Sequence, residues 1–210
     1  MKLSIAEALY LIAMDDEEGR LVATSEKTII PGLIAAIVFE LYITKKLKIK
    51  NGILGPKETS GTGNIILDGL LKKLKPGMGL IDQVKTLQAS EKGLLRDLDN
   101  LLVQRGIFKK EATKLLWIPL SERMENANYA FEKEIRNILR AIVFKSARPT
   151  PSFVVLMSLV YDCHLLNEVF QGEDEFIDAE KVAKNIVDSN IVDQVISEGL
   201  KEIRAYLVKS

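Results

Sequence analysis

The sequence predicts a mainly α-helical protein: a single compact multi-helix domain over residues 1–210, built around a central apolar helix and carrying one or two short β-hairpins. Two observations carry this prediction. Apolar side chains recur at helical spacing through most of the chain, and capping residues, Pro and Gly mark the helix ends. In addition, no internal repeat and no linker separates two cores. Apolar residues make up 47% and charged residues 28% of the chain, an ordinary balance for a folded protein.

The first two helices carry the clearest signals. Ser4 followed by Glu7 forms a capping-box pattern, and apolar positions within 3–13 line one helical face. A second helix is expected over about 31–44, because a proline at position 31 is tolerated in a first turn. Residues 33–39 are apolar on every side, so this helix is expected at the centre of the domain.

Two β-hairpins interrupt the helical pattern. Alternating apolar residues over 46–54 flank Asn51-Gly52, a dipeptide typical of a two-residue turn. A second hairpin is expected over 107–118, with a polar turn at 109–113. The remaining helices are expected at about 65–71, from about 80, from a cap at Ser90 to Gly106, and at 121–145, 152–170, 178–189 and 191–208.

Charge is balanced in total but uneven along the chain. The 29 basic and 29 acidic residues cancel, so the composition gives no general attraction to nucleic acid. Eight lysines lie within 45–75, at positions 45, 46, 48, 50, 57, 72, 73 and 75, whereas nine acids lie within 171–202. Such a molecule can orient itself on an anionic surface although its net charge is zero.

Compartment and membrane signals point to the cytoplasm. The single cysteine, Cys163, cannot form an intramolecular disulfide, which fits a reducing compartment. The N-terminal segment is broken by Glu7 and lacks a signal-peptide pattern. The longest apolar stretch, 29–39, is shorter than the roughly 20 residues that a membrane-spanning helix needs. We therefore expect a cytoplasmic protein without a transmembrane segment, which at a membrane lies on its surface.

Catalytic and metal-binding patterns are missing from the sequence. The one histidine, His164, follows Cys163, and helix neighbours point about 100° apart, so the two do not converge on one ion. The Gly-rich segment 55–63 lacks the Gly-Lys-Ser/Thr of a phosphate loop. The acids at 15–18 lack the alternating ligands of a calcium loop. We therefore expect no enzyme, no cofactor and no metal.

Two surface features remain as binding candidates. The first is a run of lysines after the central helix, which fits either an anionic ligand or a solvated strand face that discourages edge pairing. It comprises Lys45, Lys46, Lys48 and Lys50. The second is the only tryptophan, which fits a core position or, at a hairpin tip, a membrane interface or a partner's groove. It stands in the apolar run Leu115, Leu116, Trp117 and Ile118.

The order of the segments resembles that of the Golgi phosphoprotein 3 family. Residues 3–19 (LSIAEALYLIAMDDEEG) resemble its opening helix and acidic turn, and residues 32–41 (GLIAAIVFEL) its central apolar helix. Later segments are also similar, namely 62–71 (TGNIILDGLL), 102–108 (LVQRGIF), and 148–151 (RPTP) leading to 165–170 (LLNEVF). The resemblance runs in order along nearly the whole chain.

The resemblance implies a non-enzymatic helical domain. Eukaryotic members bind phosphatidylinositol 4-phosphate and act as Golgi adaptors for glycosyltransferase tails. In them a tryptophan, an arginine in the apolar helix and two arginines on a later helix hold the lipid head group. The corresponding positions here are Ser25, Ile34, Lys92 and Leu95. Only one of them is cationic, and a lysine does not grip phosphate in the bidentate manner of arginine, so we expect loosened head-group specificity.

Two functions stay open on the sequence. One is a peripheral membrane-associated module that binds anionic phospholipid through a basic surface. The phospholipids considered include phosphoinositides. That surface comprises Lys45, Lys46, Lys48, Lys50, Lys92 and Arg96. The other is a protein–protein adaptor or self-associating scaffold without lipid specificity, a homo-oligomer formed through the run 115–118, which in the family belongs to an oligomerising hairpin. An enzyme ranks behind both, and a deep pocket with converging acids would revive it.

Overall fold

The first helix begins at the predicted capping box. The Ser4 hydroxyl accepts a hydrogen bond from the Glu7 N–H at 3.2 Å, and the Glu7 carboxylate accepts one from the Ser4 N–H at 2.6 Å. These reciprocal bonds satisfy two backbone donors that a helix start otherwise leaves free. Every residue from Ile5 to Ala13 is buried, so this helix lies inside the core.

The structure, a computed structural model, describes residues 3–15, 18–58, 60–90, 92–115 and 118–209, with the backbone alone at 111–115 and 118–123. The elements follow in chain order: α1 (Ile5–Ala13), α2 (Ile29–Ile43), β1 (Leu47–Lys50), β2 (Ile53–Lys57), α3 (Ile65–Lys73), α4 (Leu80–Ser90), α5 (Leu94–Gln104), β3 (Phe108–Leu115), β4 (Ile118–Asn126), α6 (Tyr129–Val143), α7 (Pro151–Asp162), α8 (Leu166–Val169), α9 (Glu173–Asn185) and α10 (Gln194–Leu207). The predicted mainly α fold with short hairpins is confirmed.

Helix α2 occupies the centre of the core, as its composition predicts. The side chains from Leu33 to Phe39 are all 0% exposed. They are enclosed by α1 and α7, which also pack against each other, and by α3, α4, α10 and β1. A helix that is apolar all round is buried on every side because leaving one face in water costs about 25 cal/mol per Å².

Strands β1 and β2 form the predicted first hairpin. Asn51 and Gly52 have φ angles of 51° and 69°, the left-handed conformation that a type I′ turn requires at both positions. Strand β1 buries Leu47 and Ile49 and exposes Lys48 and Lys50 in strict alternation. One face of the hairpin therefore packs on the core and the other faces solvent.

The second hairpin is longer than predicted, and the expected turn is wrong. Strands β3 and β4 pair from Phe108↔Asn126 to Leu115↔Ile118, with a shift in register between Thr113 and Lys114. Residues 109–113 therefore lie in β3, and residues 121–126, expected to begin a helix, lie in β4. The sequence of this hairpin is polar at most positions, so it lacks the apolar alternation by which strands are identified.

Several helix boundaries also differ from the predictions. Ser90 ends α4, where its hydroxyl donates to the Thr86 carbonyl at 3.0 Å, and the N-cap of α5 is Gly93. A serine can satisfy its hydroxyl within its own helix as well as cap the next one, so the sequence does not distinguish the two. The predicted helix 152–170 is divided into α7 and α8, and α9 begins at Glu173 and not near 178.

Candidate functional site

Two of the four positions aligned with the family's head-group residues are inside the core. Ser25 is 0% exposed, and its hydroxyl donates to the Val22 carbonyl at 2.8 Å. Ile34 is 0% exposed within α2. Lys92 is exposed just before α5, and Leu95 is half-buried on α5. Lys92 is thus the one position of the four that offers an exposed cation.

Leu95 lines a cavity of about 630 Å³ between α1, α5 and the loop 18–26. Its described lining carries one basic side chain, Arg20, which pairs with Glu18 at 3.1 Å. The acidic side chains of the lining are Asp15, Glu18, Glu26 and Asp99. This excess of acids repels a phosphate group, so the cavity is a poor place for a phospholipid head group.

A hydrogen bond between two helices lies in the wall of this cavity. The Tyr10 hydroxyl of α1 donates to the Asp99 carboxylate of α5 at 2.7 Å. Burial and the Asp99 carboxylate together raise the pKa of Tyr10 above its ordinary value, so the phenol stays protonated. Burial also raises the pKa of Asp99, although the bond from Tyr10 opposes that shift. Both groups are committed to holding α1 on α5.

The lysines around the first hairpin divide into two groups. Lys45, Lys48 and Lys50 are exposed. Lys46 is half-buried, where its ammonium donates to the Ser60 hydroxyl at 2.8 Å and lies 3.8 Å from the Glu58 carboxylate. The sequence predicts all four as one basic surface, and the structure gives three of them an exposed position.

Lys57 of β2 has a structural role that the sequence does not reveal. Its ammonium donates to the carbonyls of Leu71, Lys72 and Leu74 at 2.5, 3.0 and 2.9 Å. The last carbonyls of a helix lack partners within the helix and carry its negative dipole end, so a cation is favourable there. Lys57 therefore joins the hairpin to the C-terminal end of α3.

The other two candidate cations belong to a different part of the fold. Lys92 and Arg96 are exposed at the start of α5, where the Arg96 guanidinium lies 3.6 Å from the Asp97 carboxylate. Helix α5 packs against α1, α3 and β3, whereas β1 packs against α2 and β2. Positive charge at this end of α5 is thus diluted by Asp97 and by the acidic cavity next to Leu95.

The apolar run 115–118 is described only in part. Leu115 ends β3, Ile118 begins β4, and the two are paired. Leu116 and Trp117 lie outside the described residues, and the side chains of Leu115 and Ile118 are not described. The assignment of this run to an oligomer contact or a membrane contact stays a prediction.

Cys163 and His164 lie just past the end of α7. The Cys163 thiol is 0% exposed and donates to the Thr28 carbonyl at 3.5 Å, and burial raises its pKa. His164 is exposed and lines a cavity of about 580 Å³ with Asp162. That acid is already paired with Arg204 at 2.7 Å. Within the described ranges, no group of three or more His, Cys, Asp or Glu side chains is placed to hold a metal ion.

Two further findings concern membrane and ancestry. Among the described residues, no helix combines the length and the hydrophobicity needed to cross a bilayer. The family model described as Golgi phosphoprotein 3 (GPP34) matches residues 5–205. A search of curated proteins gave no match.

Proposed function

The chain belongs to the Golgi phosphoprotein 3 family, and from that premise we propose that it is a peripheral membrane-associated module that binds anionic phospholipid without catalysis. The observation that carries the proposal is the placement of charge. Exposed lysines stand on the first hairpin, whereas the cavity next to Leu95 is lined by acids. Attraction to a lipid surface is therefore expected at the hairpin and not at the acidic cavity.

Head-group specificity is loosened in this proposal. A guanidinium presents two parallel N–H donors to a phosphate, and the aligned positions here offer only the ammonium of Lys92. An ammonium acts as a point charge and distinguishes poorly between phosphates on different sugars or alcohols. The protein then responds to the charge density of the lipid surface and little to the identity of the head group.

The strength of such binding is modest and depends on salt. A lysine near an anionic membrane contributes about 1 kcal/mol, and this contribution falls off over a Debye length of about 10 Å at 0.1 M salt. A small number of lysines therefore holds the protein reversibly. Residence is cytoplasmic, with part of the population on the membrane surface.

Flotation with lipid vesicles tests the proposal. The vesicles would be phosphatidylcholine alone, or phosphatidylcholine with either phosphatidylserine or phosphatidylinositol 4-phosphate at matched total charge. Similar flotation with both anionic mixtures at low salt, lost at high salt, is the expected result. Absence of flotation with either anionic mixture would refute the lipid function. A large preference for the phosphoinositide at matched charge would refute loosened specificity.

A second candidate is an adaptor or self-associating scaffold. The acidic cavity favours this candidate. Acids repel the phosphates of a phosphoinositide, and without head-group binding of the kind that the family uses the protein would need another partner. The candidate surface is the end of the β3–β4 hairpin, where Leu115 pairs with Ile118. Sedimentation velocity of the unmodified chain and of Trp117→Ala separates this candidate from the first.

A further inference from the structure

We propose that the protein meets the bilayer through the outer face of the β1–β2 hairpin, with Ile53 inserted among the head groups and Lys48 and Lys50 on the phosphates beside it. This inference rests on the proposed lipid function and deepens it by naming the surface that touches lipid. Ile53 is not among the binding candidates that the sequence identifies.

The register of the hairpin places an apolar side chain among the lysines. Lys50 pairs with Ile53, and Ile49 pairs with Leu54. Paired residues share one face of an antiparallel ladder. Ile49 and Leu54 are 7% and 1% exposed, so their face is packed on the core, whereas Ile53 is 49% exposed. Ile53 and Lys50 therefore stand together on the outer face.

Lys48 lies on the same outer face, and little covers it. Residues two apart on a strand share a face, so Lys48 is on the side of Lys50. Gly55 lies across from it, and a Cβ built on Gly55 would be 3.3 Å from the Cβ of Lys48. Because Gly55 has no side chain, the Lys48 stem is open to a partner from outside. An isoleucine flanked by two lysines suits the boundary between acyl chains and anionic head groups.

The hairpin is held firmly before any lipid arrives. The Leu80 N–H donates to the Gly52 carbonyl at 2.8 Å, the Leu54 N–H to the Met78 carbonyl at 2.9 Å, and the Gly77 N–H to the Leu54 carbonyl at 2.6 Å. These bonds fix β2 along the segment 77–80. Exposure of Ile53 is thus a property of a rigid ladder, and little ordering entropy opposes its insertion.

The surroundings of the hairpin carry both cations and acids. Lys72 and Lys75 are exposed at the end of α3, the end that Lys57 joins to β2. Near the turn, the Glu202 carboxylate lies 3.2 Å from a Cβ built on Gly52. Lys48 and Lys50 outnumber Glu202 and leave the outer hairpin face basic, in contrast to the start of α5, where acids stand beside Lys92 and Arg96. Lys72 adds less to this charge, because Glu58 and Asp68 line the same cavity.

Charge complementarity selects an anionic bilayer as the occupant of this face. A small apolar tip buries too little area for a stable protein partner, which needs roughly 800 Å² on each side. The same tip is sufficient at a membrane, where each neighbouring lysine adds its own attraction. Helix α9 carries five acids over 173–180, so its surface is not expected to face an anionic bilayer.

The first test compares two pairs of substitutions that remove equal charge. The probe is phosphatidylcholine vesicles doped with phosphatidylserine. Lys48→Gln with Lys50→Gln should weaken vesicle partitioning about thirtyfold, and Ile53→Ser about fivefold. Lys92→Gln with Arg96→Gln should weaken it about threefold at most, because screening limits a distant loss of charge.

The outcomes of this test separate the two proposals. If the unmodified chain ignores these vesicles, the proposed lipid function fails. If the unmodified chain binds, but the pair at 48 and 50 has no larger effect than the pair at 92 and 96, the hairpin inference fails and the lipid function stands. Circular dichroism and unfolding midpoints equal to those of the unmodified chain ensure that a loss of binding is not a loss of folding.

A second measurement reports insertion directly. Cys163 is the only cysteine and is fully buried, so a new surface thiol can be labelled selectively with an environment-sensitive dye. Dye on Ile53→Cys should shift to shorter wavelength and brighten when vesicles are added. Dye on Ile177→Cys, an exposed apolar position of α9 that is 41% exposed, should not change. A response at 177 with none at 53 would overturn the proposed orientation.

Discussion

The sulfur of Cys163 fills the space that a side chain on Gly32 would need: a Cβ built on Gly32 would lie 2.5 Å from Sγ. Gly32 belongs to the first turn of α2, and Cys163 is the C-cap of α7. Leu9 of α1 also approaches, with its Cδ2 3.6 Å from that Cβ. The three central helices therefore meet at a point where α2 contributes no side chain.

Gly32→Ala should destabilise the protein by about 2 kcal/mol, because overpacking a filled core forces side chains or backbone to shift. The measurement is the free energy of unfolding in urea. Gly69→Ala is the matched control, since Gly69 is also helical but a Cβ there meets nothing within 4 Å. That control should stabilise by about 0.5 kcal/mol or more through helix propensity.

The pair can be tested by a double-mutant cycle. Cys163→Ala removes Sγ, so Gly32→Ala should cost less in that background than in the unmodified chain, by about 1 kcal/mol. Strict additivity of the two unfolding free energies would show that Sγ is not what limits the space at Gly32.

Stability should fall as pH rises toward neutrality because of Glu40. Its carboxylate accepts a hydrogen bond from the Ile5 N–H at 2.6 Å. Burial, together with the nearby Glu7 carboxylate, raises the pKa of Glu40 from 4.5 to about 7. The folded state therefore holds a proton that the unfolded state releases from about pH 4.5 upward. The stabilisation that protonated Glu40 contributes is fully present below pH 4.5 and is lost as pH rises through 7.

Glu40→Gln should flatten this dependence. A glutamine still offers an acceptor to Ile5 but carries no charge, so above pH 7 the variant should be more stable than the unmodified chain by on the order of 2 kcal/mol. The measurement is the free energy of unfolding of both proteins at several pH values between 5 and 8. Glu134→Gln, at an exposed position of α6, is the control and should change the slope little. Parallel curves for the unmodified chain and Glu40→Gln would contradict the assignment.

Lys57 should matter for stability, unlike the lysines on the outer face of the hairpin. Lys57→Met keeps the aliphatic stem but leaves the three carbonyls at 71, 72 and 74 without their cation, so we expect a loss of about 1–2 kcal/mol. Lys48→Met is the control, because its ammonium is exposed, and its effect should stay within about 0.5 kcal/mol. Thermal unfolding of the two variants makes the comparison. Equal effects of the two substitutions would mean that the contacts of Lys57 with the end of α3 do not contribute to stability.

Local signals allowed much of the fold to be predicted. The capping box at Ser4 and Glu7, the apolar α2 and the turn at Asn51-Gly52 each depend on residues that are neighbours in the chain, and all three are confirmed. The β3–β4 register and the position of Ser90 depend on which of several available groups forms a hydrogen bond with a given backbone N–H or carbonyl. A short-range sequence pattern does not determine which of these hydrogen bonds forms.

The candidate surface was less predictable for a related reason. In the sequence, Lys46, Lys48 and Lys57 are equivalent cations. Their different roles arise because Glu58, Ser60 and the end of α3 fold back onto two of them. The exposure of Ile53 likewise depends on which hairpin face packs against α2. Alternation in the sequence shows that one face of the hairpin is buried. Ile53 lies just past the turn, and there the pairing register determines whether its side chain is on the buried face or the exposed face.

The run 115–118 leads to a prediction about self-association. Tryptophan is among the residues that contribute most when buried in an interface, because it brings a large rigid area. If the end of the β3–β4 hairpin joins copies of this chain, Trp117→Ala should weaken association at least about tenfold. Sedimentation velocity over a concentration series measures this, with Tyr129→Ala as the control, since that aromatic side chain is 50% exposed on α6. A protein that is monomeric both with and without Trp117 would remove the scaffold function. An oligomer that weakens with Trp117→Ala, and that floats with anionic vesicles regardless, would assign the two hairpins to two separate tasks.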